Sequence, residues 1–116
     1  VAATIQDVAG VKPSIVPDGR SLLPVLADAK APWRSALLLE GGNDVTKPEK
    51  RYAAVRTATR KYVRYGNGFE ELYDLAADPY ELDNKVKDSR YAGDAAMLRD
   101  LHDRLKSCVG AGCWVP

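Results

Sequence analysis

The spacing of apolar residues changes character along this chain. In Val1-Ala2-Ala3-Thr4-Ile5-Gln6-Asp7-Val8-Ala9-Gly10, Ile5, Val8 and Ala9 share one stripe at helical spacing, and Gly10 stands where a helix C-cap belongs. The segment reads as the second half of an amphipathic helix, as if the chain were part of something longer. It has no basic n-region and no long apolar run, so it does not read as a signal peptide. Residues 11–20 form a connector in which Pro17-Asp18-Gly19 marks a turn. Ser21 is placed to N-cap a short helix over 22–27 that tolerates Pro24 in its first turn.

After Pro32 the pattern becomes strand-like. The apolar run from Ser35 to Glu40, closed by Gly41-Gly42, predicts a short buried strand. Residues 43–50 are polar and predict a loop. Residues 51–57 and 60–65 read as strands joined at Ala58-Thr59. Gly66-Asn67-Gly68 predicts a hairpin turn, because both glycines accept positive φ. Periodicity leaves 69–75 open between helix and strand, and the turn before it favours strand. Residues 76–88 read as a turn region in which Pro79 holds Asp78 extended. The last element is a helix from Ser89 to Lys106, with Tyr91, Ala95, Leu98, Leu101 and Leu105 on one face. Arg99 with Asp103, and Asp100 with Arg104, are spaced as i,i+4 pairs on its wet side. The expected class is α+β, a small antiparallel sheet of about four strands with a C-terminal amphipathic helix packed on one face. Residues 1–32 read as linker and short helices, and 33–116 as the subdomain proper.

A length of 116 residues suits one modest core without a deep catalytic cleft. The net charge of +1 gives no argument for nucleic acid or membrane, and no apolar run approaches the ~20 residues that span a bilayer. The Tyr- and Arg-rich strands have the composition of single-strand nucleic-acid platforms, but the charge balance argues against that use. Cys108 and Cys113 are separated by a spacer containing two glycines, so a disulfide is feasible. Free thiols, or a metal site with His102, are the alternatives. A disulfide would pin the C-terminal tail and point to an exported protein.

Charge is unevenly placed. Residues 47–64 are basic and 70–88 acidic, which reads first as cross-strand pairing. The rival reading is an anion-binding strand face, and Arg56, whose direction a strand fixes, is its best candidate. His102 lies beside the apolar stripe and reads as a structural histidine. No serine sits in a Gly-x-Ser-x-Gly context. Glu70 and Glu71 alternate faces on a strand and cannot converge on one bond. The residues alone show no catalytic constellation.

Several segments do resemble a family. Pro17-Asp18-Gly19-Arg20-Ser21-Leu22-Leu23-Pro24 resembles the DGRSLLPLL segment near the C-terminal end of sulfatases, and residues 4–11 resemble the PTILDLAGV helix just before it. Tyr52-Ala53-Ala54-Val55-Arg56-Thr57 with Lys61-Tyr62-Val63 is similar to the paired AVRT and YKY strands. Glu71-Leu72-Tyr73-Asp74-Leu75 with Asp78-Pro79 and Asn84 matches the family's ELYDLxxDPxExxN. The closing Cys-x4-Cys is similar to that of exported sulfatases of the glucosamine-6-sulfatase and arylsulfatase type.

The resemblance implies the C-terminal subdomain of a sulfuric ester hydrolase in the alkaline-phosphatase-like superfamily, acting on a sulfated carbohydrate or aryl sulfate. It implies a large N-terminal catalytic domain as partner. That domain would carry a formylglycine made in a Cys/Ser-x-Pro-x-Arg motif, and a calcium ion. No cysteine or serine here is followed by x-Pro-x-Arg, so no catalytic and no metal-binding residue is carried over. The isolated chain is expected to be catalytically incomplete, with an apolar docking face drawn from Leu37, Leu38, Leu39 and the first helix. Homodimerisation through that face or a strand edge is also expected. The alternative is a free-standing binding module for anionic glycans.

Overall fold

The computed structural model describes residues 1–42 and 46–115. The chain divides into two compact units, residues 1–35 with 107–116, and residues 36–106.

The second unit carries the sheet. β1 (Leu37–Gly41), β2 (Tyr52–Arg56), β3 (Arg60–Tyr65) and β4 (Glu70–Asp74) form an antiparallel meander in the order β1-β2-β3-β4. A one-turn 3₁₀ helix, Pro48–Lys50, precedes β2, and another, Ser89–Tyr91, leads into the helix Ala92–Lys106. In order of appearance along the chain, Ala2–Val8 is α1, Leu23–Ala27 is α2 and Ala92–Lys106 is α3.

Strand register sorts the side chains. Val55 pairs with Tyr62, and Tyr62 with Leu72, so these three share one face. Ala95, Leu98, His102 and Leu105 of α3 are buried, as are Val55, Tyr62 and Leu72. The Tyr62 ring meets the His102 imidazole edge-on, with centroids 5.6 Å apart. The α+β expectation is therefore met, helix on one face.

Local details differ from the pattern-based expectations. β1 is not a buried strand: Leu37 and Leu39 are each 39% exposed, because β1 is the sheet edge and both side chains point away from the α3 face. In the turn after β3 only Gly68 has positive φ, at 85°. Gly66 serves close approach instead, since a Cβ there would stand 2.7 Å from the Pro48 carbonyl oxygen. Arg99 is only partly exposed and does not spend its charge along the helix. Its guanidinium donates to Glu70 on β4. Residues 43–45 of the expected polar loop lie outside the described residues.

In the first unit, α1 ends at Gly10 with φ 65°, and none of its residues is buried. Ile5 and Val8, the expected stripe, are 63% and 70% exposed. α2 starts one residue later than expected. Ser21 Oγ accepts from the Leu23 amide, and Thr4 Oγ1 of α1 accepts from the Leu22 amide. Cys108 and Cys113 form a disulfide, which excludes both the free thiols and a metal site on them. The bridged loop holds Gly110, whose amide donates to Asp18 Oδ1 at 2.6 Å, while Trp114 Nε1 donates to the Asp18 carbonyl. Arg20 stands over the rings of both Trp33 and Trp114.

Candidate functional site

The acidic and basic segments do pair. Arg60 bridges Asp74 at 2.8 Å and Asp94 at 2.6 Å, and Lys61 reaches Glu81 at 2.5 Å. Arg64 meets Asp103 at 2.7 Å and Glu70 at 3.4 Å. The cross-strand reading of the charge distribution therefore accounts for these cations. Glu70 is the hub: Tyr62 Oη donates to it at 2.5 Å and Arg99 forks onto it. The Arg99 guanidinium, ahead of the opposing cost of burial, pulls the Glu70 carboxyl down to about 2. Glu71 points to the other face, where Tyr65 Oη donates to it at 3.2 Å. Burial, with Glu71 beside it, pushes Tyr73 up to about 12. The two carboxylates thus diverge, as their alternation requires.

The motif from Glu71 to Asn84 is also spent on structure. Asn84 Oδ1 accepts from the amides of Leu72 and Val86, and its Nδ2 donates to the Glu70 carbonyl. Together with the Lys85 amide on the Leu72 carbonyl, these bonds close the outer edge of β4. Asp74 Oδ1 accepts from the Ala76 and Ala77 amides, and Tyr91 Oη donates to Asp74 Oδ2. His102 is 1% exposed, with Nδ1 2.9 Å from Asp103 Oδ1. Among the described residues its recorded side-chain neighbours are Asp103 and Tyr62, and a structural role fits.

Arg56 lies at the last position of β2, exposed, opposite Leu37 and Lys61. Among the described residues nothing pairs with its side chain. A cavity of about 480 Å³ opens at the other end of β2. Among the described residues its wall includes Arg51, Arg64, Lys106, Glu40, Tyr52 and Tyr65. Sequence reasoning missed it because its residues come from five separate elements. The excess of basic residues over 47–64 was the only signal, and it named Arg51 and Arg64 without joining them to Lys106.

The cavity is held by close backbone approaches. The Gly66 amide donates to the Arg51 carbonyl at 2.8 Å. Gly42 has φ 77°, and a Cβ there would stand 1.9 Å from the Lys50 carbonyl oxygen. A Cβ on Gly41 would stand 2.6 Å from the Tyr52 ring, so the glycine lets that ring lie across the strand.

Among the described residues no group of three His, Cys, Asp or Glu could hold a metal ion. Those described residues thus offer no carboxylate cluster for calcium, and the sequence offers no formylglycine motif. Among the described residues no helix is long and apolar enough to cross a membrane.

Comparison with known proteins follows the same line. A family model described as N-sulphoglucosamine sulphohydrolase, C-terminal, matches residues 1–109. Human N-acetylglucosamine-6-sulfatase is 31% identical, over 97% of this chain and 26% of that protein. The N-acetylglucosamine-6-O-sulfatase of Bacteroides thetaiotaomicron is 34% identical, over 86% of this chain and 19% of that protein. A solved structure holding its substrate D-glucosamine-2-N,6-O-disulfate superposes with a TM-score of 0.78 at 33% identity, covering 90% of this chain and 22% of that one. The phosphonate monoester hydrolase of Agrobacterium radiobacter gives 0.77 at 29% identity, covering 90% and 23%. The chain spans between 19% and 26% of the length of the two sulfatases.

Proposed function

Because the chain belongs to the N-sulphoglucosamine sulphohydrolase C-terminal family, we propose that it is the closing portion of a larger sulfuric ester hydrolase acting on a sulfated glycan. One observation carries this reading. The match runs over nearly all of this chain yet takes up about a quarter or less of each relative. The chemistry of the parent then belongs to residues outside this chain, including the formylglycine and calcium that the family uses.

The partner in this reading is the catalytic portion of the same protein. Each unit offers it apolar surface: Ile5 and Val8 of α1 in one, Leu37 and Leu39 of β1 in the other. Arg56, exposed on its strand, is a candidate for contact with an anionic substrate group of the parent. The disulfide and the relatives support export from the cytosol.

The test compares this chain with the full protein encoded by its gene. An aryl sulfate, N-acetylglucosamine-6-sulfate and an aryl phosphonate monoester are offered to both. The full protein releases sulfate and the chain alone releases none. Hydrolysis of the phosphonate ester alone would overturn the sulfatase assignment and favour the hydrolase neighbours. Sulfate release by the chain alone would overturn the division of labour.

A further inference from the structure

α1 is a helix whose supports are missing from this chain. It has seven residues, and helices shorter than about 12–15 residues are marginal in water unless a face is packed. Its apolar stripe should supply that packing. Yet none of its residues is buried, and Ile5 and Val8 stand in solvent. It has no side-chain cap at its N-terminus, no acidic residue in its first turn and no basic residue in its last. The Thr4 hydroxyl accepts from the Leu22 amide, but α2, which follows Leu22, offers little anchorage. None of the five α2 residues is buried either, and Leu26 is 73% exposed.

A second sign of a missing neighbour lies on another side of α1. Gln6 projects about 100° around the helix from Ile5. Its Oε1 is shut off from solvent and, among the described residues, has no hydrogen-bond partner. A buried acceptor left unpaired costs free energy until a donor reaches it. The 36–106 unit is the opposite case. Val55, Tyr62, Leu72 and Leu98 are fully buried there, so that unit carries its own core.

The size of the parent says what covers α1. This chain spans 19–26% of the length of the two sulfatases, so the greater part of such a protein lies outside it. In the reading proposed above, that part is joined to the chain ahead of α1. It is therefore the surface held next to the stripe at high effective concentration.

We propose that α1 is folded by the catalytic portion of the parent, with the Ile5–Val8 stripe seated in an apolar groove of that portion. The 36–106 unit folds by itself, whereas α1 orders only when the catalytic portion covers it. The inference rests on the sulfatase reading and deepens it, because it names the element through which the two portions become one fold.

The test follows amide exchange in the isotope-labelled 116-residue chain and, by mass spectrometry, in the full protein encoded by its gene. In the chain, the amides of Gln6, Asp7, Val8 and Ala9 are expected to exchange within about tenfold of the rate of an unstructured peptide, while Val55 and Tyr62 stay protected. In the full protein, the peptide covering α1 is expected to exchange about a hundredfold or more slowly. The paired substitution Ile5→Asp, Val8→Asp should leave the strand amides of the chain unchanged and lower the melting temperature and soluble yield of the full protein. Leu82→Asp, comparably exposed but in the 36–106 unit, should change neither. If the aspartate pair prevents the full protein from folding, Val8→Ala gives the milder readout, about fivefold or more faster exchange of α1 in the full protein alone. The inference is overturned if α1 is as protected as Val55 in the chain by itself, or if its protection there rises with concentration, which makes a second copy the occupant. It is equally overturned if α1 exchanges as freely in the full protein as in the chain, or if the aspartate pair acts no differently from Leu82→Asp. The sulfatase reading is decided separately, by sulfate release from the unsubstituted full protein.

Discussion

Arg99 on α3 and Glu70 at the start of β4 are joined by a forked pair of hydrogen bonds, the shorter 2.6 Å, between residues far apart in sequence. The pair fastens the helix to the sheet. It also fixes the acid response of the fold. Glu70 titrates at about 2 in the folded chain against 4.5 for the free side chain. A depressed carboxylate contributes stability that is present above pH ~4.5 and disappears as pH falls towards 2. Glu70→Gln is therefore expected to lower stability near pH 7 by about 1–2 kcal/mol, discounted for the partial exposure of Arg99. The gap between the two proteins should close between pH 5 and pH 2. Urea melts across that range check it, and a gap that stays constant contradicts the assigned role.

This pair also shows where the sequence stopped being readable. Along α3, i,i+4 spacing put Arg99 with Asp103, because charge pairing within a helix is local and visible. The pairing actually made depends on how far α3 rotates over the sheet, and nothing in the local pattern encodes that rotation. The strands were legible because their alternation and turn residues are local too. β1 was placed correctly and its burial misjudged, since Leu37 and Leu39 look the same in a central strand and at an edge. The basic cavity was the least readable part. Arg51 and Lys106 lie far apart in sequence, and only the completed sheet and helix bring them together. Arg56, singled out for its fixed direction on a strand, lies outside that cavity.

Asn84 predicts a local result. Its side chain accepts from two amides and donates to one carbonyl around β4. Asn84→Ala leaves the Leu72 amide without its partner and is expected to cost about 1–3 kcal/mol. Hydrogen exchange at Leu72 should accelerate more than exchange at Val55 or Val63. Uniform acceleration would mean a global loss of stability instead of an opened edge.

The core offers a cleaner contrast. Leu98 of α3 is fully buried, whereas Leu82 is 84% exposed on the loop after β4. Leu98→Ala is expected to destabilise by about 2–5 kcal/mol, and Leu82→Ala to stay within about 0.5 kcal/mol. Thermal melts of the two variants decide it. Equal effects would place the core elsewhere.

The disulfide should act on its own unit. Cys108→Ser with Cys113→Ser opens the short loop that carries Gly110 and Trp114 onto Asp18. The stability lost is expected to be below the ~3 kcal/mol of a 15-residue loop, because closure entropy grows with loop length. The indole proton of Trp114 and the amide of Gly110 should shift and exchange faster, with strand amides unchanged. If the tail resonances do not move, the bridge does not position this clasp.

The central claim is that this chain closes a sulfatase whose reacting centre lies in a portion outside it. The most direct measurement is the intact mass of the protein isolated from its natural source, set against the complete reading frame that encodes Val1. The account predicts a frame that extends upstream through a Cys/Ser-x-Pro-x-Arg motif, and a mass in which that residue has become formylglycine. A frame that starts near Val1, with an intact mass equal to that of this chain alone, would contradict it.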